Sequence, residues 1–304
     1  MTDTVTDTRD LSWLDEVENL DDRERLANLI PAVDKAEAYT HRNVADLTDF
    51  ATFDSAMRLM HNIMLPGPSG SGKTTAARAY AAANGLPFVS VEVNGQMDFA
   101  TVFGDLVQDP ATKAWAWRDG DFTLVVRYGG VIMIDEVNFA APKFTAALHG
   151  LLDARQTLTL PNLGAVRKSK RCLIVSAYNP LYTGVVNLNE AFLNRFTFTI
   201  PWKYDPAVEQ ERIGVYSKTL LALMRSLRAE DGIRTDVGTN WGEDFIEVAA
   251  DASPQVAALM GTARFADTEQ EIVRASIEAK LPQICRELGL PLTVDNLGGD
   301  RTAE

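Results

Sequence analysis

Gly67-Pro68-Ser69-Gly70-Ser71-Gly72-Lys73-Thr74 matches the pattern G-x-x-x-x-G-K-[ST] at every fixed position. Small residues at this spacing let successive backbone N–H groups curl around an anionic phosphate, and a helix that follows points its positive end at the same group. Lysine and hydroxyl have separate tasks here: Lys73 reaches the β- and γ-phosphates, while Thr74 offers its oxygen to Mg2+. The surroundings agree with this reading. Asn62-Ile63-Met64-Leu65 is a short apolar strand entering the loop, and Thr75 to Ala83 is an alanine-rich helix leaving it.

With 304 residues, 46% of them hydrophobic, the chain suits one large or two modest domains with packed cores. A net charge of -13 and a pI near 4.8 argue against a broad electrostatic footprint for duplex DNA. No apolar run reaches the length that spans a bilayer. Met1 to Asp10 carries Asp and Thr where a signal peptide has a basic and then an apolar segment. A cytoplasmic protein with no membrane partner is therefore the expectation. Cys172 and Cys285 stand alone and are expected as core thiols, and His41, His61 and His149 form no ligand motif.

Taken in order, residues 1–40 form an acidic N-terminal segment, partly disordered, whose first 25 or so residues read as a poorly ordered arm leading into a helix at Asp21 to Leu29. Asp34 to Arg42 and Asp54 to His61 read as helices before the first strand, with Leu59 and Met60 against the sheet edge. Pro87 to Val93 alternates as a second strand, and a strand-helix-strand unit calls for a parallel sheet. Thr112 to Val126 alternates about Asp119-Gly120 and is expected as a β-hairpin. Its Trp115 and Trp117 either grip a partner or pack across the strands.

Val131-Ile132-Met133-Ile134-Asp135-Glu136 is a fully apolar strand that ends in two adjacent carboxylates. Such a strand delivers Asp135 to the Mg2+ shell, while Glu136, pointing the other way in the pleat, orients or deprotonates a water for attack on the γ-phosphate. Phe144 to Asp153 has one apolar helical face, and Thr157 to Val166 reads as a hairpin turning at Asn162 to Gly164. Arg167-Lys168-Ser169-Lys170-Arg171 is the one dense basic stretch, open to nucleic acid, to an acidic partner or to plain solvent. Cys172 to Tyr178 is another buried strand, and Asn179 at its end can hold the attacking water or the γ-phosphate. Asn189 to Phe196 is a short helix running into a strand at Phe196 to Ile200, with Arg195 at its exposed end. Beyond Pro206 the pattern turns helical, at Ala207 to Arg228, Asp244 to Ala252 and Asp267 to Leu281, with residues 291–304 as a polar tail.

These motifs together resemble those of AAA+ ATPases, and more narrowly the MoxR-type clade that includes the CbbQ, NorQ and GvpN proteins. Gly67 to Thr74 corresponds to Walker A and Val131 to Asn138 to Walker B. Leu148 to Pro161 followed by Ser176 to Pro180 corresponds to the helix, hairpin and sensor-1 strand. Tyr182-Thr183-Gly184 through Phe196 resembles the arginine-finger segment, and Phe103 to Gly130 the helix-2 insert that faces the ring's pore. The resemblance implies a P-loop NTPase three-layer α/β/α domain with a central parallel sheet (residues 41–203), then a small helical lid (residues 204–290). It implies ATP and Mg2+ as cofactors, with Gly67, Pro68, Ser69, Gly70, Ser71, Gly72, Lys73, Thr74, Thr75 and Asp135 at the nucleotide and Thr74 and Asp135 at the metal. Glu136, Asn179 as sensor 1 and Arg195 as a finger acting in trans are the implied catalytic set, with Arg264 of Thr262-Ala263-Arg264 as sensor 2. The implied assembly is a homo-oligomer, a hexamer, that remodels a protein client such as one carrying a von Willebrand A domain. Two alternatives keep the same core: a nucleic-acid motor or loader resting on residues 167–171, and a low-turnover nucleotide-dependent scaffold with no use for Glu136 and Arg195.

Overall fold

The computed structural model describes residues 9–93, 98–108, 110, 112–180, 188 and 190–291. Tyr182-Thr183-Gly184, Asn189 and the tail from residue 292 lie outside the described residues, as do the first eight. The chain divides into two compact units, one of residues 1–68 and 72–203, the other of residues 69–71 and 204–304.

The first unit is built on strands whose centres are mostly apolar. In β3 (Gly130–Asp135), preceded in the chain by β1 (Ile63–Pro66) and β2 (Phe88–Glu92), side chains alternate between faces, yet Val131, Ile132, Met133 and Ile134 are all fully buried. Val131 and Met133 join one hydrophobic cluster, Ile132 and Ile134 another. A strand buried on both faces needs a layer on each side, which is the three-layer α/β/α arrangement. The sheet has five parallel strands in the order β5-β1-β4-β3-β2, with β4 at Cys172–Tyr178 and β5 at Phe198–Thr199. One face is covered by the helix after the phosphate loop and by Asp49–Arg58, through Ala76, Ala77, Tyr80, Phe53 and Ala56. The other carries Phe122, Val125, Phe144, Leu148 and Leu151.

Helices of the first unit that matter here are α1 (Leu20–Asn28), α2 (Lys73–Ala83), α3 (Asp121–Tyr128) and α4 (Pro142–Leu152). From Arg9 onward the expected loose arm is docked instead. Trp13, Val17 and Leu26 are buried in the core, the Trp13 indole N–H donates to Gly85 O, and Arg9 reaches Ala82 O. The acidic composition hid three apolar anchors spaced widely enough to escape a periodicity test.

The hairpin expected over Thr112 to Val126 is a second correction. Trp115–Asp119 pairs backward, antiparallel, with Gly104–Gln108, and Gly120 is the N-cap of α3. Phe122, Val125 and Val126 recur at helical spacing, and that buried stripe overrides the alternation read across the Asp119-Gly120 junction. Trp115 is left 65% exposed, whereas Trp117 donates its indole N–H to Asp119 and packs on the core. Leu59, expected against the sheet edge, is exposed. Helix 189–196 shortens to Glu190–Leu193 among the described residues, and its strand to Phe198–Thr199.

The second unit is helical, with α5 (Lys218–Arg228), α6 (Thr239–Asp251), α7 (Pro254–Ala263) and α8 (Gln270–Leu288) around Leu223, Met224, Trp241, Phe245, Val273 and Ile277. The expected run from Ala207 to Arg228 is broken by a π-turn at Gln210–Gly214, and α7 lies outside the expected helices, with Val256, Leu259 and Met260 at helical spacing but exposed. Both thiols are buried, and burial pushes that of Cys172 up to about 11. No helix among the described residues is long and apolar enough to cross a membrane.

Docking of the N-terminal segment generates a direct test. Leu26→Ala removes a fully buried side chain and is expected to cost about 2–5 kcal/mol in urea unfolding, whereas Leu20→Ala, on an exposed position of the same helix, is expected to leave the midpoint nearly unchanged.

Candidate functional site

β1 ends at Pro66, and the chain turns immediately into the glycine-rich loop. Gly67 N–H donates to Tyr178 O at 3.0 Å, pinning the loop's start to the neighbouring strand β4. A Cβ at Gly67 would stand 1.9 Å from Trp202 O, so no larger residue fits. Gly70 and Gly72 hold φ of +66° and +85°, the left-handed conformation that curls a loop back on itself. Lys73 is almost fully buried and its ammonium donates to Gly67 O and Pro68 O at 2.9 and 2.7 Å, spanning the concavity of the loop. Thr75 is exposed one residue further along α2.

Ser69–Ser71, the tip of the loop, group with the second unit. Within that unit Ser69 N–H donates to the Asp236 carboxylate at 2.9 Å, the Tyr204 hydroxyl donates to Ser69 O at 2.8 Å, and Thr239 N–H donates to Gly70 O. Arg264 lines a cavity of about 270 Å³ with Ser69, Gly70, Asp236 and Asn240, and its guanidinium is paired with Asp244 at 2.6 Å.

The parallel sheet brings three chain segments to one end. β4 lies between β1 and β3, so Asn179, 5% exposed, follows a strand flanked by the loop strand and by the acid-bearing strand. Thr74 Oγ1 donates to Asp135 Oδ2 at 2.5 Å. A hydroxyl and a carboxylate oxygen converging in this way are hard oxygen donors of the kind Mg2+ takes, with phosphate oxygens and water completing its shell, so the residues present fit that ion. Glu136 follows with φ 54° and ψ 39°, a left-handed backbone that a glutamate adopts only when its surroundings impose it. Burial, then the charges of Glu92 and Asp135, push its carboxyl above the usual range, and Lys73 opposes them. Glu92 is a member that sequence reasoning missed: it sits in register beside Asp135 on β2, visible only once the strands are paired. Asn138 is another. It is 3% exposed with neither end of its amide hydrogen-bonded among the described residues, which suits it to an ordered water next to Glu136.

Arg195 is not brought to this cluster. Its carbonyl lies 3.4 Å from the Asn62 amide nitrogen, at the opposite end of β1 from the loop, and four strand residues at about 3.3 Å each separate the two ends. Its guanidinium donates to Ala191 O. Burial and then the Arg195 charge hold the nearby His149 imidazole below its usual pKa. The basic run after the hairpin is also recast. Lys168 is buried on Asn62 and Arg171 is held by Glu16 at 2.8 Å, leaving Arg167 and Lys170 exposed.

A charge effect on stability follows from Glu136. Its folded pKa lies above the unfolded one, so at neutral pH the ionised carboxylate opposes folding, and the opposition fades as pH falls through the folded value and is gone below the unfolded one. Glu136→Gln is therefore expected to raise Tm at pH 7.5 and to lose that advantage near pH 4, as read by thermal melts.

Comparison with known proteins finds likenesses over part of the chain. The family described as AAA domain (dynein-related subfamily) matches residues 62–196. The uncharacterized protein SH1500 of Staphylococcus haemolyticus (strain JCSC1435) is 33% identical over 156 residues, which is 49% of this chain and 59% of that protein. YojN, an uncharacterized protein of Bacillus subtilis (strain 168), is 33% identical over 144 residues, 46% of this chain and 47% of its own length. The chain spans about half to three-fifths of the length of these curated relatives. Among solved structures, NtrX from Brucella abortus in complex with ADP aligns over 77% of this chain and 48% of that one, with TM-score 0.39 and 17% identity. The matched stretch contains the glycine-rich loop, both acids, Asn179 and Arg195.

Proposed function

We propose that the protein is a Mg2+-dependent ATP hydrolase of the MoxR type that works as a ring, a hexamer, and remodels or activates a protein partner. The observation that carries the reading is the meeting of Thr74 with Asp135 at 2.5 Å, with Glu136 next in the chain and Lys73 across the loop. Gly67 to Thr75 would cradle the phosphates, and Thr74 and Asp135 would hold Mg2+. When bound, that ion would offset the charge of the phosphates. Glu136 accepts a proton from the attacking water, and Asn179 orients that water or the γ-phosphate. The raised pKa of Glu136 brings it nearer the operating pH and makes it a better base.

Arg195, anchored at the far end of β1, suits a group that acts on the γ-phosphate of an adjacent copy rather than its own. Ring assembly is thus part of the proposal, as is a client of the von Willebrand A kind. Burial of Lys168 and pairing of Arg171 take two charges from the stretch on which a nucleic-acid motor would rest, so the protein-remodelling reading is preferred.

Arg195→Ala is expected to retain ATP binding and lose about 10³- to 10⁵-fold in turnover. Mixing it with Glu136→Gln subunits, which still supply the arginine, should restore hydrolysis; full activity of Arg195→Ala alone would sink catalysis in trans, and negligible wild-type turnover that Glu136→Gln leaves unchanged would favour the low-turnover scaffold. The acid limb of the pH–rate profile should lie above the ordinary glutamate range. Glu92→Gln removes a negative neighbour and is expected to shift that limb to lower pH.

A further inference from the structure

Lys168 belongs to the densest basic stretch of an acidic chain, yet it is 3% exposed, and an ammonium is costly to bury. Its Nζ donates to Asn62 Oδ1 at 2.9 Å, and Asn62 is 4% exposed. Burial holds the Lys168 ammonium below its usual pKa. An asparagine amide accepts at one end and donates at the other, whereas lysine only donates. Lys168 therefore holds the oxygen end of Asn62 and helps to fix which way its amide faces. With its oxygen on the ammonium, the amide nitrogen is turned to two backbone carbonyls, Leu152 O at 3.0 Å and Arg195 O at 3.4 Å. Lys168 is itself held in place by its own N–H, which donates to Gln156 O at 2.8 Å. A methionine would fill the same space without desolvating a charge, so what the lysine adds is direction.

We propose that Lys168 and Asn62 are a buried positioning pair for Arg195, fixing the backbone from which its guanidinium is offered to the neighbouring copy. This rests on the reading of Arg195 as a group that acts in trans. Without the ammonium, the buried Asn62 oxygen loses its donor, and the amide is held less firmly against the Leu152 and Arg195 carbonyls, which loosens the Arg195 backbone. The pair sits where β1 begins, four residues before the loop, so the arginine offered outward and the chain's own phosphate loop hang on one strand.

The test uses the full chain with Lys168→Met and, as a second variant, Asn62→Asp. Aspartate keeps an acceptor for Lys168 but cannot donate to the Leu152 and Arg195 carbonyls, so it breaks the amide's backbone links while sparing the one to Lys168. Each is expected to retain ATP binding and the wild-type KM while kcat falls about 10²-fold, the scale of an ångström-sized misplacement. Activity should return on mixing with Glu136→Gln subunits, which carry a well-placed arginine, and should stay low on mixing with Arg195→Ala. If Lys168→Met fails to fold, as judged by circular dichroism, Asn62→Asp decides the matter alone. Wild-type kcat in the variants, alongside an inactive Arg195→Ala, overturns the positioning role and leaves the arginine reading intact. Loss that Glu136→Gln cannot rescue, alongside an Arg195→Ala that it does rescue, makes the pair merely structural. A fully active Arg195→Ala removes the premise of both.

Discussion

A single hydrogen bond, from Thr74 Oγ1 to Asp135 Oδ2, joins the first turn of α2 to the end of β3 and passes across the end of the strand between them. It exists because β1, β4 and β3 run parallel and are in register, so the chain segments leaving them emerge at one end of the sheet. Neighbouring strands lie about 4.8 Å apart, and a threonine raised on the following helix closes the remaining gap. Any slip of one residue would turn the apolar strand faces around and separate the hydroxyl from the carboxylate. The whole candidate site depends on the same burial that holds the sheet together.

That end of the sheet carries the strain and the electrostatic tension. Glu136 takes a left-handed backbone between a buried strand and a short 3-10 turn, with Glu92 and Asp135 as negative neighbours. Lys73 answers with one positive charge, folded onto the carbonyls of its own loop. Under the proposed function, phosphate oxygens would draw the lysine outward while a divalent ion would offset the acids. The opposite end of β1 is built in another way. There, Asn62 and Lys168 are buried and paired, and the carbonyl of Arg195 is received by a side-chain amide. Two kinds of polar construction, one crowded and one satisfied, thus sit at the two ends of a four-residue strand.

Much of this was readable from the chain. The eight residues from Gly67 to Thr74 imply a strand before and a helix after, since a phosphate cradle works only in that setting, and β1 and α2 lie there. Apolar runs at Val131 to Ile134 and Cys172 to Val175 announced strands buried on both faces, because a half-exposed strand alternates apolar with polar residues. Periodicity failed where a pattern was short or crossed a junction. The alternation through Asp119-Gly120 spans a strand and a helix, and widely spaced anchors such as Trp13, Val17 and Leu26 carry no period at all.

Sequence by itself therefore determined the local chemistry: a loop shaped for phosphate, an apolar strand that ends in two acids, and a parallel sheet to hold them. Tertiary structure alone decided which groups meet. It set Glu92 beside Asp135, drew Lys168 out of the basic run into a buried contact with Asn62, and anchored Arg195 at the far end of β1. The reason is physical: a side chain's local propensity depends on its chain neighbours, but its charge state, burial and partners depend on strands and loops tens of residues away, which only the closed sheet brings within hydrogen-bonding distance.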